Sequence, residues 1–388
     1  MQNKMFSLQK ESSHIKLNIF GIKLRFKHFF NRKMYNHFML KEVKEKTILI
    51  IELNSFHYET ILGICKCCLD LGYNVDILTR DPAEKIFQYL SFENVRVYEC
   101  TSKTFDKIYN DYDFSQYERI IYNSKRAYFI NKNKISPCGC DISECYKVVK
   151  RGQKPNIYLQ HHLDKIIETP NDIQIILGNP SKHEDWDNLV VDLNYFRTST
   201  PNFKNKNNIT NFISVGELSK KRRNFSLLVD AVDALHNQKY TNFKVTVIGR
   251  GKIEDIPEDL KQYFSILGRV DYPKLYKELQ EADYVLPLLD PSLEEHRKYM
   301  SLQVSGTALL IYNFYKPCLI HKAFADVYNL SDSTSLVYED NSDFANYMKK
   351  AIDLENDKYI ELQKNLYILD EEIHNKSVNN LKRLLLNE

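Results

Sequence analysis

The clearest pattern in the chain is a series of short, unbroken apolar runs separated by stretches of helical periodicity. Residues 47–53 (TILIIEL) are the first such run. An unbroken run reads as a strand buried on both faces, as in a parallel sheet. After a turn at Asn54 and Ser55, residues 58–71 have helical spacing, and Gly72 fits the C-cap. Further strands are predicted at 74–79, 95–99, 119–122, 155–160, 173–177 and 189–191. Strands alternating with helices imply a parallel sheet with both faces covered.

A polar stretch, 198–210 (TSTPNFKNKNNIT), interrupts this rhythm and has the composition of an interdomain linker. The alternation then restarts. Strands are expected at 212–215, 243–249, 265–268, 284–288, 308–312 (ALLIY) and 335–338. Helices are expected at 225–236, 272–282 with Pro273 in the first turn, from 299 to 306, and over 343–354 and 358–387. The fold class is therefore α/β: two Rossmann-like domains facing a cleft, with C-terminal helices packing back across them. The divisions are a basic amphipathic extension (1–46), a first domain (47–200), a second domain (211–350) and terminal helices (351–388). Ligands in such sheets bind at the carboxyl ends of the strands. A cleft between two domains suits a two-substrate reaction.

Charge changes the picture at one end only. The net charge of the 388 residues is +3. The first 46 carry 11 Lys and Arg against 3 Glu, interleaved with Phe20, Phe26, Phe29, Phe30, Tyr35 and Phe38. A basic, aromatic segment suits the surface of an anionic membrane, or else a solvated helix on the domain edge. No stretch approaches a membrane span, and no leader is visible, so the expected location is cytoplasmic and peripheral to the inner membrane face. The local basic excess lacks a nucleic-acid-binding module, so no nucleic acid is expected as partner. Cys65, Cys67 and Cys68 lie in an apolar helical stretch and read as core thiols. Cys138, Cys140 and Cys145 lack the spacing of a zinc site.

Candidate chemistry sits in four loops of the second domain. The first, VGELSKKRRN, ends a strand at Gly216 and places Lys220, Lys221, Arg222 and Arg223 before a helix. Glycine permits close backbone approach, and cations beside a helix N-terminus favour a diphosphate. The second, VIGRG, carries Gly249 and Gly251 but does not complete a dinucleotide fingerprint. The third is ILGRVDYPKLYKELQEADYVLPL, with Arg269 and Val270 in its turn. The fourth, EEHRKYMSLQVSGTAL, has Glu294, Glu295, His296, Tyr299, Ser301, Ser305, Gly306 and Thr307.

In this order the four loops resemble the C-terminal domain of GT-B glycosyltransferases, especially the family 4-like group. The resemblance spans roughly 130 residues. It implies that the first loop contacts a donor diphosphate, that the Gly-Arg-Val turn lies near the base, and that the fourth loop covers sugar and phosphates. It assigns donor binding to Gly216, Arg222, Arg223, Gly249, Arg269, Val270, Glu295, Tyr299, Ser301, Ser305, Gly306 and Thr307. Two departures stand out. Glu217 follows the first glycine where the family often has Arg. Of the family's two glutamates, the second falls on Ser301, and the first on Leu293 or, with a one-residue shift, Glu294. Donor binding therefore carries over better than the sugar-hydroxyl contacts.

The opening NIFGIKLRFKHFFNRK also looks like the start of some bacterial surface-polysaccharide transferases, the enzymes of lipopolysaccharide and capsule synthesis. In the same fold the first domain holds the acceptor. Its strand ends offer His57 with Glu59, and His161 and His162 with Asp164. A histidine is the base most easily tuned near neutral pH. His162 is the first candidate base, His57 the second, and Glu294 the candidate sugar-side acid. Asp111 and Asp113 flank Tyr112 in a loop and read as turn caps, not metal ligands. The expected activity is transfer of a hexose-type sugar from a nucleotide-sugar co-substrate to a glycan or lipid-linked acceptor, without metal or other cofactor. The alternative is an inactive sugar-nucleotide-binding partner subunit of the same fold. A nicotinamide-dependent oxidoreductase is disfavoured by the incomplete glycine fingerprint.

Overall fold

The computed structural model describes residues 6–386 except 11–13, 20–21, 28–29, 55–56, 81–82, 84, 125–127, 132–133, 138–149, 162–172, 179–189, 192–200, 202, 220 and 252–255. These residues form two compact units, the first reaching His161 and the first half of one strand through Ile175, the second running from Ile176 onward.

The chain opens with an antiparallel meander, β1 (Phe6–Lys10), β2 (His14–Ile19) and β3 (Ile22–Lys27), followed by helix α1 (Arg32–Met39). A helix through this basic segment is thus replaced by strands. The register explains the change. Leu8, Leu17 and Leu24 fall in one cross-strand row, as do Phe6, Ile19 and Ile22, while Asn18 pairs with Lys23 between those rows and Lys16 pairs with Arg25 on the other side of the leucine row. Period-2 alternation sorts apolar from basic residues, which a helix would mix. In α1, Asn31 caps Met34 N–H at 3.1 Å, and Phe38 is buried edge-on against Tyr98 and Tyr112.

The first unit's sheet contains β4 (Thr47–Glu52), β5 (Asn74–Thr79), β6 (Val95–Glu99) and β7 (Arg119–Tyr122). After an antiparallel pair, β8 (Tyr128–Asn131) and β9 (Lys134–Pro137), it continues with β10 (Ile157–Gln160), β11 (Ile173–Leu177) and β12 (Val190–Val191). Helix α2 (Tyr58–Asp70) follows β4 and helix α3 (Ser102–Asp111) follows β6. The strand order is β6-β5-β4-β7-β10-β11-β12. All six residues of β4 are buried, as its unbroken apolar run requires. Fully burying each such side chain contributes roughly 1.5–3 kcal/mol. Cys65, Cys67 and Cys68 are buried on α2 as core thiols. Cys138, Cys140 and Cys145 lie outside the described residues.

The second unit contains β13 (Thr210–Val215), α4 (Phe225–Asn237), β14 (Phe243–Ile248), β15 (Phe264–Gly268), α5 (Tyr272–Glu281) and β16 (Tyr284–Val285). Then come α6 (Glu294–Ser301), α7 (Gly306–Phe314), β17 (Leu319–His321), α8 (Lys322–Ala325), β18 (Leu336–Tyr338), α9 (Phe344–Asp353) and α10 (Asn356–Leu386). Four parallel strands run β15-β14-β13-β16. A bridge from Val285 to Cys318 extends them to the parallel pair β17-β18. The order β15-β14-β13-β16-β17-β18 repeats that of the first sheet.

Residues 308–312, expected as a strand, lie inside α7. Leu309, Ile311 and Tyr312 are buried there, so the helix is apolar all round and lacks the amphipathic stripe that marks a helix in sequence. Tyr299, expected to open a helix, lies near the end of α6, and the chain is non-helical between Leu302 and Ser305. The expected linker is laced to the second unit where it is described. Lys206 donates to the carbonyls of Ala351 and Ile352 at the end of α9, and Asn207 N–H donates to Asp283. Thr210 already belongs to β13.

Each sheet reverses its strand order once, between β4 and β7 in the first and between β13 and β16 in the second. The crevice outside the carboxyl ends at such a reversal is where ligands bind in open α/β sheets.

Candidate functional site

In the second unit the reversal is built from glycines, two arginines and a helix N-terminus. β13 ends at Gly216, whose φ of +139° is a conformation few side-chain-bearing residues adopt. A Cβ on Gly249, at the end of β14, would lie 1.5 Å from Gly216 O. The two strand ends therefore touch backbone to backbone, and only glycine fits. Gly249 N–H in turn donates to Gly268 O at 3.1 Å, linking the ends of β14 and β15.

The basic cluster divides by burial. Lys220 lies outside the described residues, Lys221 is exposed, Arg222 is half-buried and Arg223 is 6% exposed. The Arg223 guanidinium lies against Gly216 and donates to Val215 O at 3.0 Å, Arg222 O at 2.6 Å and Thr307 Oγ1 at 2.5 Å. Its Nε is buried without an acceptor, and no carboxylate among the described residues pairs with it. Burial pushes the guanidinium pKa below its ordinary value. Arg222 donates to the Tyr299 hydroxyl at 2.8 Å.

Thr307, held by Arg223, sits in the first turn of α7. Ser305 is the N-cap. Its N–H donates to the Tyr328 hydroxyl at 3.1 Å, and its Oγ is buried without a partner. Tyr328 donates to Tyr299 O at 3.1 Å, so α6, α7 and Arg222 form one framework. The opening N–H groups of a nine-residue helix beside two arginines make an electropositive edge suited to an oxyanion. Behind it, Asn224 caps α4 and donates to Asp290 at 2.7 Å, while Asp290 N–H donates to the fully buried His296 at 3.0 Å. Burial pushes the Asp290 carboxyl up, but hydrogen bonds led by Ser292 bring it below the ordinary carboxylate range.

The remaining expected residues are more peripheral. Arg269 is exposed and Val270 half-buried beyond Gly268. Glu294 and Glu295 are exposed in the first turn of α6. Ser301 is exposed at its last residue and Gly306 is exposed at the start of α7. Glu217 points to Arg250 at 3.6 Å, an exposed pair.

The first unit has its own cluster at the β4/β7 reversal. Glu52, the last residue of β4, is completely buried. Its Oε1 accepts from Asn54 N–H at 2.7 Å and Asn54 Nδ2 at 3.0 Å. Its Oε2 accepts from Asn123 Nδ2 at 2.7 Å and Ser124 Oγ at 2.8 Å. Asn123 Nδ2 also donates to His57 O at 2.8 Å, and Asn123 O lies 2.7 Å from His161 Nε2. The His57 and His161 rings stack with centroids 4.1 Å apart. His57 has a φ of 65° at the N-cap of α2, a left-handed position uncommon outside glycine that histidine adopts more readily than most residues. Burial pulls its pKa down, but Glu59 at 3.8 Å and Glu52 outweigh this, and it lies above the ordinary histidine value. His162 lies outside the described residues; His161 is the histidine brought to His57.

Sequence reasoning missed Glu52, Asn123, Ser124, Asp290 and Tyr328. Glu52 carried a signal, since it is the one charge in TILIIEL and ends the strand. Tyr328 carried none. Asp113 caps Ser115 N–H at 3.0 Å as a turn residue, but Asp111 is the last residue of α3, not a loop residue, and accepts from Tyr35 on α1 at 2.8 Å. No group of three or more His, Cys, Asp or Glu among the described residues could hold a metal ion. No helix among them is long and apolar enough to cross a membrane.

Neither a protein-family model nor a curated protein matches the chain. Solved structures do. The Anabaena protein HepE, crystallised with UDP and glucose, matches with a TM-score of 0.50 at 13% identity, over 87% of this chain and 98% of that one. A glycosyltransferase from Rickettsia africae matches with a TM-score of 0.49 at 12% identity, over 89% and 98%. Sucrose-phosphate synthase from Thermosynechococcus elongatus matches with a TM-score of 0.49 at 12% identity, over 88% and 98%. At such identities the likeness is one of fold. Together with the two Rossmann-ordered sheets, the likeness to HepE gives the chain the GT-B fold.

Proposed function

We propose that the chain is a nucleotide-sugar-dependent glycosyltransferase of the family 4-like type, with the donor held by the second unit. The observation that carries this reading is Arg223. A fully desolvated guanidinium with no carboxylate partner is costly unless an anion approaches its surroundings. Arg223 braces Gly216 and Thr307, the two backbones that border the electropositive edge, while the half-buried Arg222 is the cation free to reach a ligand beyond Tyr299. A diphosphate supplies the charge and the oxygens this edge suits. The Anabaena structure of the same architecture contains UDP and glucose, which agrees with a uridine-type donor.

In the proposed reaction the bond from the sugar C1 to the diphosphate oxygen breaks, and a bond from C1 to an acceptor hydroxyl oxygen forms. The diphosphate leaves with the electron pair. Arg222 and the α7 N–H groups stabilise that growing charge more than they stabilise bound donor. His57 takes the acceptor proton. Gly249, Arg269 and Val270 line the nucleotide side, and Glu294, Glu295, Ser301 and Ser305 the sugar side. The acceptor is a glycan or lipid-linked glycan of a cell-surface polysaccharide. The basic residues of 1–46 bring the protein to an anionic inner membrane face.

A second reading, an inactive donor-binding partner subunit, draws on Ser301, which stands exposed where the resembled family has a glutamate. A thermal-shift screen with UDP-, GDP-, CMP- and dTDP-sugars tests donor binding. Ligand at about 100 times its Kd adds roughly 2.7 kcal/mol of stability. One nucleotide class is expected to raise Tm, and no shift with any of them contradicts the reading. Release of nucleoside diphosphate with acceptor present separates enzyme from inactive subunit.

A further inference from the structure

We propose that Glu52 is a positioning residue that acts through Asn123 to fix the stacked His57 and His161 rings and to stabilise the positive charge that forms there when His57 accepts a proton. The inference rests on the reading of His57 as the acceptor-side base and deepens it.

The carboxylate is fully buried and receives four hydrogen bonds, all from groups able to donate: Asn54 N–H, Asn54 Nδ2, Asn123 Nδ2 and Ser124 Oγ. An ionised carboxylate, which only accepts, satisfies this set. No Lys or Arg among the described residues pairs with it, and His57 is the cation that acts on it. Burial pushes the Glu52 carboxyl above its ordinary value, while the hydrogen bonds from Asn54, Asn123 and Ser124 and the charge on His57 favour its ionised form, so a protonated imidazole supplies the counter-charge the buried group needs.

Asn123 is the mechanical link. Its amide joins Glu52 to the His57 carbonyl, its Oδ1 accepts from Thr60 Oγ1 at 2.8 Å, and its own carbonyl meets His161 Nε2. Thr60 Oγ1 also reaches His57 O at 2.8 Å, which pins the left-handed turn at His57 from a second side. Among the described residues, the groups seen to face the pair include Glu52 at the end of β4, Glu59 from α2 and, just past β7, the neutral Asn123 and Ser124. Arg80, at the end of β5, is engaged with Asp106 at 3.4 Å. Glu52 differs from Glu59 in depth: Glu59 is about one-third exposed and open to screening, whereas Glu52 is not. The arrangement fixes the base in place and stabilises the imidazolium that forms once it has taken the acceptor proton.

The test is an NMR titration of the histidine rings in the full-length protein, with His57→Gln and His161→Gln for assignment. In Glu52→Gln, which keeps shape and removes charge, the His57 midpoint is expected to fall by about one pH unit while the circular dichroism spectrum is unchanged. An unchanged midpoint in a folded Glu52→Gln protein overturns the proposal. If that variant does not fold, the wild type decides. A midpoint held up by buried Glu52 survives about 1 M salt, whereas one held up by Glu59 alone drops to the ordinary histidine value. Neither readout needs a substrate, so their outcome is independent of the donor-binding screen that tests the transferase reading.

Discussion

At the scale of single residues, the proposed donor edge depends on contacts that admit no larger atom. Gly249→Ala drives a Cβ to within 1.5 Å of Gly216 O, and both strand ends would have to shift. We expect a loss of about 3 kcal/mol or more, read as a fall in Tm. Gly268 is the control. A Cβ there meets nothing within 4 Å, but φ is +66°, so Gly268→Ala is expected to cost only about 1–2 kcal/mol. Equal losses for the two would show that crowding is not what selects Gly249. The paired arginines should also part company. Arg223→Met removes three hydrogen bonds from a buried framework and is expected to lower both Tm and donor affinity. Arg222→Ala, which loses one contact to Tyr299, is expected to lower affinity with little change in Tm.

At the scale of elements, legibility followed the locality of the signal. Strands 74–79, 95–99, 119–122 and 173–177 were read at their observed bounds, because short segments dominated by β-branched and apolar residues are a local signature. Helix α7 was misread because a short apolar run suits a strand and a fully buried helix equally, and only its packing decides. The meander β1–β3 was obscured by lysines and aromatics that drew attention to charge, although Ile15, Leu17 and Ile19 alternate with polar residues. The glycines and arginines gathered at the β13/β16 reversal were singled out by motif order, and the donor role given to them is the proposal made above. The Glu52 hub was not, since Asn123 lies 71 residues away and its role exists only once β4 and β7 pair. One element also carries a pH dependence. Lys316, just past α7, is 7% exposed and donates to Gln280 O at 3.0 Å. Burial pushes its pKa down to about 8, against the partial pull of Asp283. Between that value and the ordinary lysine value the unfolded chain binds a proton that the folded chain does not. Stability from this group therefore rises as pH climbs from about 8 toward about 10.4. Tm measured across that range should show the rise in wild type, and Lys316→Met should flatten it. An identical slope in both would contradict the assignment.

At the scale of the whole molecule, the same strand order is used twice, and each sheet places its chemistry at its own reversal. The second unit offers arginines, glycine-bordered backbone and a helix N-terminus, a set suited to a diphosphate. The first offers a buried carboxylate and stacked imidazoles, a set suited to moving a proton. That division of labour is the one the proposed transfer between a charged donor and a hydroxyl acceptor would use. The central claim is that the second unit binds a nucleoside diphosphate through Arg222 and the start of α7. Isothermal titration of UDP into wild type and Arg222→Ala tests it most directly. One charge-assisted contact is worth about 1.5–3 kcal/mol, so the account predicts measurable binding to wild type and affinity roughly 10- to 100-fold weaker in the variant. Equal affinity in the two proteins, or no heat from UDP, GDP, CMP or dTDP at millimolar concentration, would contradict it.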